Sequence, residues 1–238
     1  MWRIEPSLLG RIAVPPFLPE GFAVFCTTRD LEGWLTPEVT GRIGEAVRER
    51  FGIEATLTTC TQVHGKSVQR ARGGGAWREC DSCDALWSSE REVALGIKIA
   101  DCLPVSLVDP LHAVIANVHS GWRGAVQGIT AETVDTIARE TAFEAGAALA
   151  YLGPSIRVCC FEVGEEVAAQ FDERYLDRGG VKPHVDLAAY TADILRARGF
   201  AGERIFDSEL CTRCEGSVFH SYRRDGKGGG RNLAIVAG

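Results

Sequence analysis

Apolar positions along the chain fall into short runs of two periods, and these predict strands alternating with helices. Strand-like runs cover 22–28, 57–63, 84–87, 94–99, 113–118, 149–152 and 232–236. Between the first two, Thr36-Pro37-Glu38 reads as N-cap and first turn of a helix. Val39, Ile43, Ala46 and Val47 mark its buried face, and Gly52 is a suitable stop. Gly124 opens a second helix with Val126, Ile129, Val134 and Ile137 on one side. A third is expected over 165–175. Asp186 caps a fourth, which carries Leu187, Tyr190, Ile194 and Leu195 inward and stops at Gly199. The pattern predicts an α/β (α+β) fold.

Two of the strand-like runs close on reactive side chains. The run 94–99 leads into Ala100-Asp101-Cys102-Leu103-Pro104, and 113–118 leads into His119-Ser120-Gly121-Trp122-Arg123-Gly124. A third, 57–63, delivers His64. Strand ends are where α/β proteins carry reactive groups. Two imidazoles and a thiol there form a three-ligand metal set with an open fourth position. His64 taken alone reads as a hydrogen-bonded loop residue; its company makes it a ligand candidate.

Composition narrows the class. The chain has 238 residues, 45% of them hydrophobic, enough to bury a full core. A net charge of -6 argues against nucleic acid or an anionic membrane as partner. No apolar run nears the roughly 18–20 residues of a membrane span. Met1 to Pro6 shows neither an apolar signal core nor a small-residue cleavage site, so the expectation is a cytoplasmic protein. Nine cysteines, an odd number, fit poorly with disulfides there. The pairs Cys80/Cys83 and Cys211/Cys214 read as buried or surface thiols rather than as one Cys₄ zinc site, because they are far apart in sequence. The turn 73–75 is too irregular for a phosphate loop.

Arginines offer an anion site. Arg223, Arg224 and Arg231 flank a glycine loop that reads equally as a local anion site and as an ordinary solvated hairpin, Arg29 ends the first strand, and Arg123 follows Trp122. Arg123 reads equally as an anion ligand and as a cation stacked on its neighbour. Arg29 reads equally as a solvated loop cation.

Six motifs then carry a resemblance: Gln-Val-His-Gly at 62–65, Ala-Asp-Cys-Leu-Pro at 100–104, His-Ser-Gly-Trp-Arg-Gly at 119–124, Gly-Pro-Ser-Ile at 153–156, Cys-Cys-Phe-Glu-Val-Gly at 159–164 and Ser-Tyr-Arg-Arg-Asp-Gly at 221–226. In order and over nearly the whole chain, they resemble the bacterial laccase-domain family, also called the multicopper-polyphenol-oxidase-like or peptidoglycan editing factor family. The resemblance implies a single domain over 1–238, with mixed sheets flanked by helices and a metal site at strand ends. It implies zinc on His64, Cys102 and His119, and activity on purine nucleosides: phosphorolysis of adenosine, inosine and methylthioadenosine, together with adenosine deamination. The partners are then a small purine nucleoside and phosphate, with the protein a monomer or small homo-oligomer. Arg29 matches the family's early Thr-Thr-Arg motif, but residues 30–34 replace the usual glycine-rich loop.

A four-copper oxidase is excluded by ligand count: five histidines (64, 112, 119, 184, 220) include no His-x-His pair. Copper still fits the same His₂Cys donor set. For the nucleoside chemistry the catalytic expectations are Cys102, His119 and Glu162, with Asp101 the other candidate proton carrier. Arg29, Arg123, Arg223 and Arg224 are the expected phosphate ligands. The alternatives are a Cys–His hydrolase or editing factor on a peptidoglycan precursor, with Cys102 as nucleophile, a copper-loaded polyphenol oxidase, and a metal-binding protein without turnover.

Overall fold

Side chains alternate across a strand, and β10 (Val114–Ser120) shows what that alternation builds. Val114, Ala116 and Val118 face a helix-covered core, whereas Ile115 faces a second core between two sheets. Asn117 and His119 share the parity of Ile115. The computed structural model describes residues 1–33, 35–74 and 77–238. Trp34, in the segment that departs from the family pattern, and Gly75, in the glycine turn, lie outside the described residues.

Among the described residues the first sheet runs in the order β1 (Arg3–Ser7), β2 (Gly10–Val14), β3 (Ala23–Thr27), β15 (Asn232–Ala237), β8 (Val93–Ile99), β4 (Thr56–Cys60), β6 (Arg78–Cys80). The second runs β14 (Ile205–Asp207), β11 (Leu149–Leu152), β9 (Leu103–Asp109), β10, β7 (Ala85–Ser88), β5 (Val68–Arg70). A small antiparallel pair, β12 (Leu176–Asp177) and β13 (His184–Val185), lies apart. Both large sheets are mixed: β4 is parallel to β6 and β8, β5 to β7, and β11 to β14.

The sheets face each other over Val24, Leu95, Ile97, Val108, Ile115 and Tyr151. On the outer face of the first lies α1 (Pro37–Phe51), through Val39, Ile43 and Val47. On that of the second lie α3 (Ile129–Glu140) and α5 (Leu187–Ala197). Asn117 locks the sheets together. Its side-chain amide donates to the carbonyls of Leu95 and Ala234 in the first sheet, and its oxygen accepts from Ser106. A buried amide so satisfied fixes one register between sheets that apolar contact alone would leave free to slide.

Helix signals read from sequence hold where they are local. The Thr36 hydroxyl accepts from the Val39 N–H, and Gly52 takes the left-handed conformation at φ 68°. Asp186 accepts from the Ala189 N–H. Two expectations are corrected. The helix expected from Gly124 begins at Trp122 and breaks: α2 (Trp122–Val126) ends before Gly128, whose φ of 87° starts α3 afresh. The helix expected over 165–175 is only α4 (Glu165–Ala168), followed by a 3₁₀ turn at Glu173–Tyr175. The apolar period ran through both breaks and so concealed them. After Ser221 the chain forms a one-turn helix, α6 (Tyr222–Asp225), before the glycine loop.

Candidate metal centre

The three expected ligands meet where the chain crosses from one sheet to the other. Residues 100–102 carry the chain from β8 in the first sheet to β9 in the second, and Cys102 is the last of them. Register then places His119 beside it, since His119 pairs with Pro104 and Ser120 with Leu103. His64 follows β4 of the first sheet on the way to β5 of the second. The ligand atoms of His64, Cys102 and His119 all lie within 4.8 Å of one another. The His64 and His119 rings are edge to face, with centroids 4.8 Å apart.

The backbone is strained to achieve this. His64 and Asp101 are non-glycine residues at φ 60° and 87°, a region costly for L side chains and frequent at functional sites. Asp101 is held by its own carboxylate, which accepts from the Thr212 hydroxyl at 2.6 Å and the Arg223 N–H at 2.7 Å. Glycines in the motif after β10 serve close approach. A Cβ on Gly121 would stand 3.0 Å from the Cys102 sulfur, and one on Gly124 would stand 2.9 Å from the Gly65 carbonyl.

Asp84, which sequence reasoning did not single out, organises the centre. Fully buried, it accepts from the N–H groups of His64 (2.9 Å) and Gly65 (2.8 Å), fixing the His64 loop. Its Oδ1 lies 2.8 Å from His119 Nδ1, which leaves Nε2 for a ligand. A carboxylate behind a histidine is the usual support of a metal ligand. The only sequence signal was a carboxylate just before a strand.

Charge follows from these contacts. Burial pushes the Cys102 thiol up, but hydrogen bonds to His119 and His64, and their charge, outweigh it and bring the thiol down to about 6. Burial likewise opposes charge on His119, yet hydrogen bonds to Asp84 and Cys102 raise it to about 9. The cluster therefore favours a thiolate, the form that binds metal. Two imidazoles and a thiolate with a carboxylate-supported tautomer suit zinc or copper.

A pocket of about 670 Å³ opens above the cluster, with Trp122, Phe161 and Tyr222 among its walls. Four cations, Lys98, Arg123, Arg223 and Arg231, also line it. Arg123 stacks on Trp122 at 4.5 Å and also borders the pocket. Arg223 donates to the Glu162 carbonyl through both terminal nitrogens at 3.0 Å. Lys98 was not anticipated.

Three expected residues are not brought to this pocket. Arg224 is consumed by structure, donating to the carbonyls of Thr212, Arg213 and Phe219 and to Asp225. Arg29 borders an adjacent cavity with His220 and donates to the Gly216 carbonyl. Glu162 lines a neighbouring cleft, where its carboxylate lies 3.4 Å from Lys182.

Comparison with known proteins agrees with this architecture. A family model described as multi-copper polyphenol oxidoreductase laccase matches residues 38–237. A purine nucleoside phosphorylase of Deinococcus radiodurans is 37% identical over 185 residues, covering 74% of this chain and 67% of that protein. Adenosine deaminase RL5, from an unknown prokaryotic organism, is 35% identical over 164 residues, 66% of this chain. That match spans 62% of the deaminase, less than two thirds of its length. The crystal structure of Bacillus licheniformis YfiH has the same fold, with a TM-score of 0.84 at 22% identity over 99% of this chain and 98% of that one. Among the described residues no helix is long and apolar enough to cross a membrane.

Proposed function

The chain belongs to the multi-copper polyphenol oxidoreductase laccase family, and from that membership we propose that it is a zinc-dependent enzyme of purine nucleosides. It phosphorolyses adenosine, inosine or methylthioadenosine and deaminates adenosine. One observation carries the reading: in a chain of net charge -6, four cations and three aromatic side chains converge on a pocket floored by two imidazoles and a thiol. Nucleoside and phosphate need that combination. Flat rings accept a purine face, and guanidinium groups hold phosphate through paired hydrogen bonds.

His64, Cys102 and His119 would hold the metal. Zinc bound there supplies Lewis-acid polarisation and the activation of water towards neutral pH. Asp84 holds His119 in one tautomer and keeps the His64 loop in register. Arg123, Arg223 and Arg231 offset the charge of an incoming phosphate. Names of relatives add support, since a phosphorylase and a deaminase both match over most of this chain. The test is product analysis of the zinc-loaded protein with adenosine, with and without phosphate. Adenine that forms only with phosphate, and inosine that forms without it, support the reading. Adenosine recovered intact from both overturns it.

A second reading has its own observation. Asp84, His119 and Cys102 form a line of carboxylate, imidazole and low-pKa thiol, the arrangement of a Cys–His–Asp nucleophile. In that reading the chain is a thiol hydrolase, an editing factor acting on a peptidoglycan precursor. A copper-loaded oxidase uses the same donors, as the family's description implies. Zinc decides between the first two, because a coordinated thiolate is a poor nucleophile towards alkylating agents.

A further inference from the structure

The structure brings Cys211 and Cys214 not to Cys80 and Cys83 but to Cys159 and Cys160. These four sulfurs all lie within 4.8 Å of one another. Cys214 is 3.8 Å from Cys159 and 3.4 Å from Cys160. Cys83, by contrast, is buried with Cys60 in the core between the sheets. We propose that Cys159, Cys160, Cys211 and Cys214 form a second, closed zinc site that fastens the 153–164 loop to the 208–224 segment.

Spacing is the first argument. A tetrahedral tetrathiolate with Zn–S near 2.3 Å has sulfurs about 3.8 Å apart on every edge. A cluster of several irons would spread the sulfurs wider, and two separate disulfides need no fourfold convergence. The scaffold is the second argument. Ser155 and Cys211 form a parallel bridge, with the Ser155 N–H donating to the Leu210 carbonyl and the Thr212 N–H to that of Ser155. Cys160 and Cys211 are buried, whereas Cys159 and Cys214 are exposed, so an ion can enter from outside.

The site would act on the pocket through its wall. Phe161 directly follows Cys160 and lines the pocket; the Glu162 carbonyl holds Arg223. Thr212, inside the Cys211/Cys214 knuckle, donates to Asp101, the neighbour of Cys102. Arg224 clamps the carbonyls of Thr212 and Arg213.

Metal content of the purified protein tests this, together with zinc-edge X-ray absorption. Cys102→Ala removes a ligand of the first centre and should retain about one zinc, surrounded by sulfur alone at about 2.3 Å. The double variant Cys159→Ser/Cys214→Ser changes only exposed thiols and should lose about one zinc relative to the wild type. The proposal is overturned if Cys102→Ala holds no zinc, if the double variant holds as much as the wild type, or if intact mass shows these cysteines paired as disulfides. If the first centre were wrongly assigned, Cys102→Ala and the wild type would share one all-sulfur zinc, which separates the two ideas.

Discussion

Asp84 and His119 meet twice: the Asp84 carbonyl accepts from the His119 N–H at 2.7 Å, and the Asp84 carboxylate lies 2.8 Å from His119 Nδ1. Main chain and side chain therefore fix one imidazole at the crossing between sheets. Replacing Asp84 with Asn keeps the size but removes the charge and turns an amide N–H towards the Gly65 N–H. Zinc affinity, measured by competition with a chromophoric chelator, should fall about 10–100-fold. Wild-type affinity in Asp84→Asn would mean that the carboxylate supports only the fold.

Arg223 and Arg224 are neighbours with different tasks. Arg223→Ala should depress phosphorolysis of adenosine about tenfold more than deamination, as loss of a charge-assisted contact of about 1.5–3 kcal/mol implies. Arg224→Ala should instead lower the melting temperature and reduce both rates together, since it abandons three carbonyls. Rates with and without phosphate, beside a thermal melt, separate the two. Matching losses in both reactions for Arg223→Ala would move the phosphate site elsewhere.

Thiol reactivity should follow the cluster's electrostatics. With the Cys102 thiol at about 6, the thiolate dominates above that pH and is protonated below it. In chelator-treated protein the alkylation rate of Cys102 should rise with pH to a plateau, with its midpoint near 6. Zinc should suppress that rate across the plateau. A midpoint in the ordinary thiol range would show that His119 and His64 do not hold the thiolate.

Local signals were legible in the chain and crossings between segments were not. Thr36, Gly52 and Asp186 end helices by contacts within a few residues, so their types alone announced them. Cys102 and His119 were legible because strand register delivers them together from adjacent hairpin arms. Asp84 meets His119 across 35 positions through β7 and β10 pairing, which no spacing reveals. Cys211 and Cys214 find Cys159 and Cys160 more than 50 positions away, because one bridge at Ser155 aligns two loops. Arg224 reads like Arg223 in sequence; only the one-turn helix α6 sends one to the pocket and the other to the carbonyls behind it.

The most direct test of the metal-centred reading is a zinc titration of chelator-stripped protein, with adenosine turnover followed at each addition. Turnover should rise with added zinc and level off once the first centre is filled, and should be absent at every zinc level in Cys102→Ala. Stripped protein that turns over adenosine at the full rate, with Cys102 free to alkylate, would contradict the account.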